Sequence, residues 1–285
     1  MDNGPSRTAL ATAYSRAYHQ IADQPTIFTD DLAIPLLGVT ADELTALSTR
    51  PADPVGAVIS DRGRRLFFAT RARAAEDAIA AAVAAGTRQL VILGAGLDTF
   101  AYRSQNPDLR VFEIDHPATQ AWKRDRLAAV GIDIPATVSL VPVDFETQDL
   151  AAELESAAFV RTEPAIFIWL GVIFYLTPSA ARATLEYIAG QTQPVEVIFD
   201  YLQSASTDED RAHLQARAKR LADAGEPFVT YFTPDEIDRL LRTLGFATIE
   251  DRAAQDVITT YLGESMNCGE EPAALRASRI LRTRR

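Results

Sequence analysis

From residue 88 onward the chain alternates short, nearly continuous apolar runs with longer segments of helical periodicity. "QLVILG", "RVFEID", "VSLVPVD", "AIFIWLG" and "VEVIFDY" are rich in β-branched residues and bounded by turn formers. Such runs suit strands covered on both faces, and helices between them make βα units around a parallel sheet. Two of those helices mark their own starts. Thr177 is placed to cap one whose first residue is Pro178 and which closes near Gly190. Thr233 and Glu236 have capping-box spacing in another, which stops at Gly245. "FATIED" and "SRILRT" read as late strands, and residues 203–229, polar and helical, as a flap over the sheet edge.

Ahead of this pattern, residues 6–20 predict a helix, followed by a loop around Pro25. "DDLAIPLLG" and "TADELTALS" predict two short helices. "TRPADPVGAVISDRG", with Pro51, Pro54, Gly56 and Gly63, predicts a mobile loop. "RRLFFATRARAAEDAIAAAVAAG" predicts a long helix closed by Gly86. The fold class expected is α/β and Rossmann-like: a mostly parallel, twisted seven-stranded sheet flanked by helices. The division expected is 1–86 as an N-terminal helical extension or lid and 87–285 as the core, with a helical insertion at about 203–229.

Composition narrows the function classes. Over 285 residues, 39 acids against 28 bases leave a net charge of −11, a poor balance for gripping a phosphate backbone, so no nucleic-acid partner is expected. One cysteine, Cys268, and three scattered histidines argue against a disulfide framework or a metal site. Cys268 reads as a loop residue with nothing beside it to make it a nucleophile. No apolar run approaches a membrane span, and the first residues lack the pattern of a secretory leader; the expectation is a cytoplasmic protein. Nothing in the pattern speaks to assembly.

The candidate chemistry gathers where strands end, since ligands of a parallel sheet sit beyond its carboxyl edge. Gly94, Ala95 and Gly96 follow the first strand and let the backbone pass close to a ligand; a plain βα turn would use them equally well. A dinucleotide fingerprint wants a small residue where Thr99 stands. Asp98 would repel a pyrophosphate and suit a cation. A nicotinamide-dependent oxidoreductase is therefore the disfavoured alternative. Glu113 and Asp115 close the second strand on one side, with Ile114 turned away, about 20 residues beyond the glycines, where an acid grips ribose hydroxyls. Asp144 and Phe145 close the third and are suited to an adenine amino group and ring. Arg71 lies on an otherwise apolar stripe with Phe67, Ala74, Ala75 and Ala78, and needs either a ligand carboxylate or an exit to solvent. Arg73 is spaced to pair with Asp77. His116 reads as packing near adenine, Tyr175 and Tyr201 as rim residues facing an acceptor, and Trp122 and Lys123 as packing and surface.

In order and spacing, "LVILGAGLDTFAYR", "VFEIDHPATQAWK", "VPVDFE" and "FIWLGVIFYLTP" resemble the bacterial relatives of leucine carboxyl methyltransferase. The resemblance covers roughly residues 64–200 and, more loosely, "GEPFVTYFTPDEIDRLLRTLGF". It implies a class I enzyme using S-adenosyl-L-methionine and releasing S-adenosyl-L-homocysteine. Carboxyl methyltransferases of polyketide pathways belong among these enzymes, so an O-methylation in secondary metabolism is implied. Arg71 would hold the methionine carboxylate, Gly94 and Gly96 would pass under the cofactor, Asp115 beside Glu113 would bind ribose, and Asp144 with Phe145 would read adenine. Many relatives have a glutamate where this chain has Leu170, which weakens transfer of that position's role. The function expected is methyl transfer to oxygen of a small molecule, a carboxylate being one candidate acceptor; a cofactor-binding relative without catalysis is the second alternative.

Overall fold

The computed structural model describes residues 5–145, 147–192, 194–223, 225–263 and 275–285; Cys268 lies outside them. Five helices lead the chain: α1 (Arg7–Ala22), α2 (Ala33–Leu37), α3 (Ala41–Ser48), α4 (Pro54–Ser60) and α5 (Arg62–Ala84). The sheet then begins. β1 (Gln89–Leu93), α6 (Phe100–Arg103), β2 (Arg110–Asp115), α7 (Pro117–Ala129), β3 (Val138–Pro142), α8 (Leu150–Ser156), β4 (Ala165–Trp169), α9 (Pro178–Ala189) and β5 (Val195–Leu202) follow in alternation. The chain closes with α10 (Asp208–Asp223), α11 (Pro234–Thr243), β6 (Thr248–Ala253), α12 (Ala254–Leu262) and β7 (Ser278–Arg284).

The seven strands run in the order β3-β2-β1-β4-β5-β7-β6. β1 to β5 are parallel, and β7 enters antiparallel between β5 and β6. Strand order reverses between β1 and β4, so the crevice for a ligand opens there, beyond their carboxyl ends. The apolar runs divide by alternation. Val91, Leu93, Phe167, Trp169 and Phe199 pack with α9 and α11 on one face. Leu90, Ile92, Ile166, Ile168 and Ile198 pack with α5 and α12 on the other. Thus α5, within the 1–86 segment, lies on the sheet itself. The capping residues act as the sequence predicts: Thr177 accepts from Ala180 N, and Thr233 and Glu236 form both halves of a capping box.

Two expectations are corrected. The segment 49–63 is not an irregular loop, because α4 occupies its centre and α5 begins within it. Pro54 stands at the first helical turn, where its missing N–H costs nothing, and Asp53 accepts from Val55 N at 2.8 Å and Gly56 N at 3.0 Å as the cap. Lys123 is not a surface residue. It is buried, with Nζ 2.7 Å from Glu113 Oε2 and over the Tyr102 ring.

No helix among the described residues is long and apolar enough to cross a membrane.

Candidate active site

A cavity of about 900 Å³ opens at the carboxyl ends of β1 to β4, near the upper end for small-molecule sites, with room for a nucleoside and a second molecule. Ten of the sequence-predicted residues line it: Arg71, Gly94, Ala95, Gly96, Asp98, Asp115, Asp144, Phe145, Leu170 and Tyr175. Its floor is the turn after β1. Gly94 takes φ +67°, and a Cβ there would stand 2.2 Å from Val172 Cγ2, so glycine is required on two counts. The turn tightens through Asp98 N donating to Ala95 O at 2.8 Å, while Asp98 Oδ1 accepts from Phe100 N at 2.8 Å to start α6.

Asp115 is the best-anchored acid of the site. Its Oδ2 accepts from Gly96 N at 2.5 Å and its Oδ1 from His116 N at 2.7 Å. Burial pushes its pKa above the ordinary carboxylate range, against the pull of those two amides. With the Thr119 hydroxyl and these two amides as donors, the carboxylate still keeps acceptor capacity for a ligand hydroxyl. His116 caps α7, its Nδ1 accepting from Ala118 N at 3.2 Å, and lines the same end of the cavity. Asp144 sits in a turn closed by Thr147 N and Gln148 N donating to its carbonyl.

The opposite end carries positive charge. Arg71 is buried on α5 beneath β4 and β5, with Nη1 donating to Asp200 Oδ2 at 2.7 Å and the guanidinium 4.7 Å from the Phe68 ring centre. Asp200 Oδ1 accepts from Gly171 N at 2.5 Å, which fixes the turn after β4. Neither alternative weighed for Arg71 describes this partner. Leu170 lines the wall between, bringing no polar group.

The roof comes from two distant segments. Thr8 and Arg7, at the start of α1, donate their backbone N–H groups to the Glu226 carboxylate at 3.2 and 2.8 Å, and the Thr8 hydroxyl donates to the same carboxylate. Because that hydroxyl proton is committed, Tyr175 OH donates to Thr8 Oγ1 at 3.0 Å. Burial, with the Glu226 charge adding to it, pushes the Tyr175 pKa up to about 12. Val229 N and Thr230 N donate to Phe174 O, tying the Glu226 loop to the turn after β4. From α1, Arg16 reaches the floor, Nη2 donating to Leu97 O at 2.8 Å.

Two predicted residues are not brought to the cavity. Glu113 is one pleat, about 6.6 Å, further back along β2 than Asp115, and there α6 and α7 cover it. It bonds Lys123 Nζ and accepts from Tyr102 OH at 2.9 Å, and burial raises its pKa. Tyr201 is buried beneath α11, donating to Asp251 Oδ2 at 2.7 Å. Asp200, Arg16, Thr8 and Glu226 escaped the sequence reading. Asp200 had a usable signal, since it is another acid closing a strand. The Thr8–Glu226 contact spans 218 residues and leaves no local trace.

The cavity is thus acidic where β1 to β3 end and offers a guanidinium, paired with Asp200, where β4 and β5 end, and its acids oppose a diphosphate. A nucleoside carrying an amino-acid tail fits this polarity: diol acceptors in Asp115, an acid and a ring in Asp144 and Phe145, and a guanidinium at the far end.

The comparisons agree with that fit. Residues 9–189 match the family model described as leucine carboxyl methyltransferase. A relative from Bacillus subtilis (strain 168), bearing the name of an S-adenosyl-L-methionine-dependent methyltransferase, YktD, is 30% identical over 278 residues, covering 90% of each chain. A similarly named relative from Mycobacterium sp. (strain KMS) is 35% identical over 231 residues, covering 78% of this chain and 74% of its own. Among solved structures, a protein from Thermobifida fusca YX superposes with a TM-score of 0.56 at 18% identity, covering 100% of this chain and 96% of that one. A DUF574 family protein from Streptomyces avermitilis does so with 0.54 at 14% identity, covering 99% and 98%. These two likenesses concern the fold. With the match spanning most of the chain, the chain belongs to the leucine carboxyl methyltransferase family.

Proposed function

We propose that this S-adenosyl-L-methionine-dependent methyltransferase methylates a carboxylate oxygen of a small molecule. Asp115 takes the ribose hydroxyls, Asp144 and Phe145 the adenine, and Arg71 the methionine carboxylate, leaving the space under Tyr175, Val172 and Val229 for the acceptor. The cofactor supplies a methyl group on a sulfonium. The acceptor oxygen forms the new O–C bond with its own lone pair, and the C–S pair returns to sulfur. The protein aligns the two molecules and excludes water.

The observation carrying this reading is the state of Tyr175. Tyr175 lines the cavity, its proton is given to Thr8, and burial pushes its pKa up to about 12. A phenolate base is therefore absent at neutral pH. The imidazole lining the cavity, His116, stands at the nucleoside end and caps α7, and the roof carboxylate, Glu226, is engaged by Arg7 N, Thr8 N and the Thr8 hydroxyl. An alcohol or phenol acceptor needs a base within reach; a carboxylate arrives ionised and needs none. Incubation with methyl-labelled cofactor and small carboxylic acids, beside matched alcohols and phenols, tests this. Base-labile labelled esters from the acids are expected, and label entering only phenols or alcohols would refute the reading.

A further inference from the structure

Where β1 to β3 end, acids line the cavity; the turn after β4 and the loop after α10 give it a wall of another kind. Exposure alternates along that loop. Pro227 and Val229 are exposed and line the cavity, whereas Phe228 and Thr230 are buried and do not. Phe228 packs edge-on to Phe174 (5.2 Å, 83°), and Thr230 Oγ1 donates to Leu176 O at 2.6 Å. Val229 N donates to Phe174 O at 2.7 Å. The loop is therefore pinned from behind and shows Pro227 and Val229 to the cavity.

Val229 is 43% exposed, one of two large hydrophobic residues left so among the described residues; the other, Ile21 on α1, lies outside the cavity lining. The turn after β4 adds Leu170, Val172 and Leu176 to the lining. Val172 Cγ2 lies over the turn after β1, 2.2 Å from where a Cβ of Gly94 would stand, so the apolar wall reaches the bed of the cofactor. The polar side chains interleaved with these residues are engaged. Tyr175 donates to Thr8 Oγ1, and Glu226 accepts from Arg7 N, Thr8 N and the Thr8 hydroxyl. What this wall offers a second molecule is hydrocarbon surface, held open on a pinned backbone at the rim of a ligand-sized cavity.

We propose that the acceptor is an acid with a hydrocarbon body seated against Val172, Pro227 and Val229, and that Val229 is the residue that selects it. The proposal rests on the carboxylate reading above and adds the class of the rest of the molecule. A dry, apolar wall also suits the transfer. The acid's lone pair forms the O–C bond, the C–S pair returns to sulfur, and a carboxylate and a sulfonium become a neutral ester and a neutral thioether, so no charge is left needing water.

Calorimetry on protein saturated with sinefungin, a cofactor analogue bearing an amine in place of the methylated sulfur, tests it with butanoate, hexanoate, octanoate and the matched n-alkanols. Acid affinity is expected to rise about three- to fourfold with each added methylene. In Val229→Ser octanoate should bind about fivefold or more weakly, with butanoate affinity unchanged and unchanged sinefungin affinity reporting the fold intact. Val229→Ile, which keeps the apolar surface, should retain the rise. Affinities of acids and alkanols flat with chain length in the wild type would overturn the hydrocarbon body. An equal rise in wild type and Val229→Ser would overturn the assignment of Val229. Alkanols that gain affinity with length and lose it in Val229→Ser, while no acid binds, would support the apolar wall and overturn the carboxylate reading alone.

Discussion

The Arg71–Asp200 pair gives the sharpest test of how the site is built. Both side chains are buried, 7% and 3% exposed, with 2.7 Å between Nη1 and Oδ2. Asp200→Asn keeps the acceptor for Gly171 N but turns an amide toward Arg71, leaving a buried guanidinium uncompensated. Breaking one side of a buried pair costs about 3–5 kcal/mol, a fall in melting temperature on the order of 10 °C for a chain of this size. Arg71→Met should cost a similar amount by stranding Asp200. The double variant removes both charges and should recover most of the loss, to within about 1–2 kcal/mol of wild type, because no uncompensated charge stays buried and the asparagine keeps the acceptor for Gly171 N. Urea unfolding of the four proteins measures the cycle. Calorimetry with S-adenosyl-L-homocysteine separates stability from binding: Asp200→Asn should still bind, since Arg71 is then free for a ligand carboxylate, whereas the double variant should not. A loss below about 1 kcal/mol for Asp200→Asn, or a double variant as unstable as the sum of the singles, would refute the account.

Two further outcomes follow from the floor of the cavity. Asp115 has a raised pKa, so the native state takes up its proton more readily than the unfolded chain; its ionisation therefore lowers stability as pH rises from the ordinary carboxylate value through the raised one. If the ionised form holds ribose, S-adenosyl-L-homocysteine affinity should fall as pH is lowered through the raised pKa toward the ordinary carboxylate value, and Asp115→Ala should bind weakly throughout with the fold retained; calorimetry showing wild-type affinity flat down to the ordinary carboxylate value would count against it. Gly94→Ala meets Val172 Cγ2 at 2.2 Å and a φ of +67°, and should cost about 2–4 kcal/mol. Adding Val172→Ala should relieve the clash and leave the backbone part, about 1–2 kcal/mol, as read by thermal unfolding.

The sheet was legible because its strands are covered on both sides and must be apolar throughout, while capping residues such as Thr177 and Thr233 announce helices locally. The prolines and glycines of segment 49–63 read as breakers, although Pro54 directly after Asp53 is the signature of a helix start. Lys123 illustrates a different limit. An ammonium 1% exposed is explained only by Glu113, ten residues back on another element, and sequence alternation places Glu113 on a face without giving its depth. Asp115 and Glu113 share that face; the strand's end separates a ligand-facing carboxylate from a core ion pair.

Arg71 shows what residue-level reasoning recovers and where tertiary contact takes over. Its apolar stripe establishes that a guanidinium there must have a partner, but the partner lies 129 residues away at the end of β5. The rule that selects Asp115 and Asp144, an acid closing a parallel strand, selects Asp200 equally, and only its place beside Arg71 marks it as the counter-charge. The consequence is functional. A lone buried guanidinium would be costly whenever the site is empty, and Asp200 removes that cost while fixing the guanidinium beside the cavity through the bond to Nη1 and the one from Gly171. The same carboxylate weakens Arg71's hold on any bound anion, because the two acids then compete for one cation.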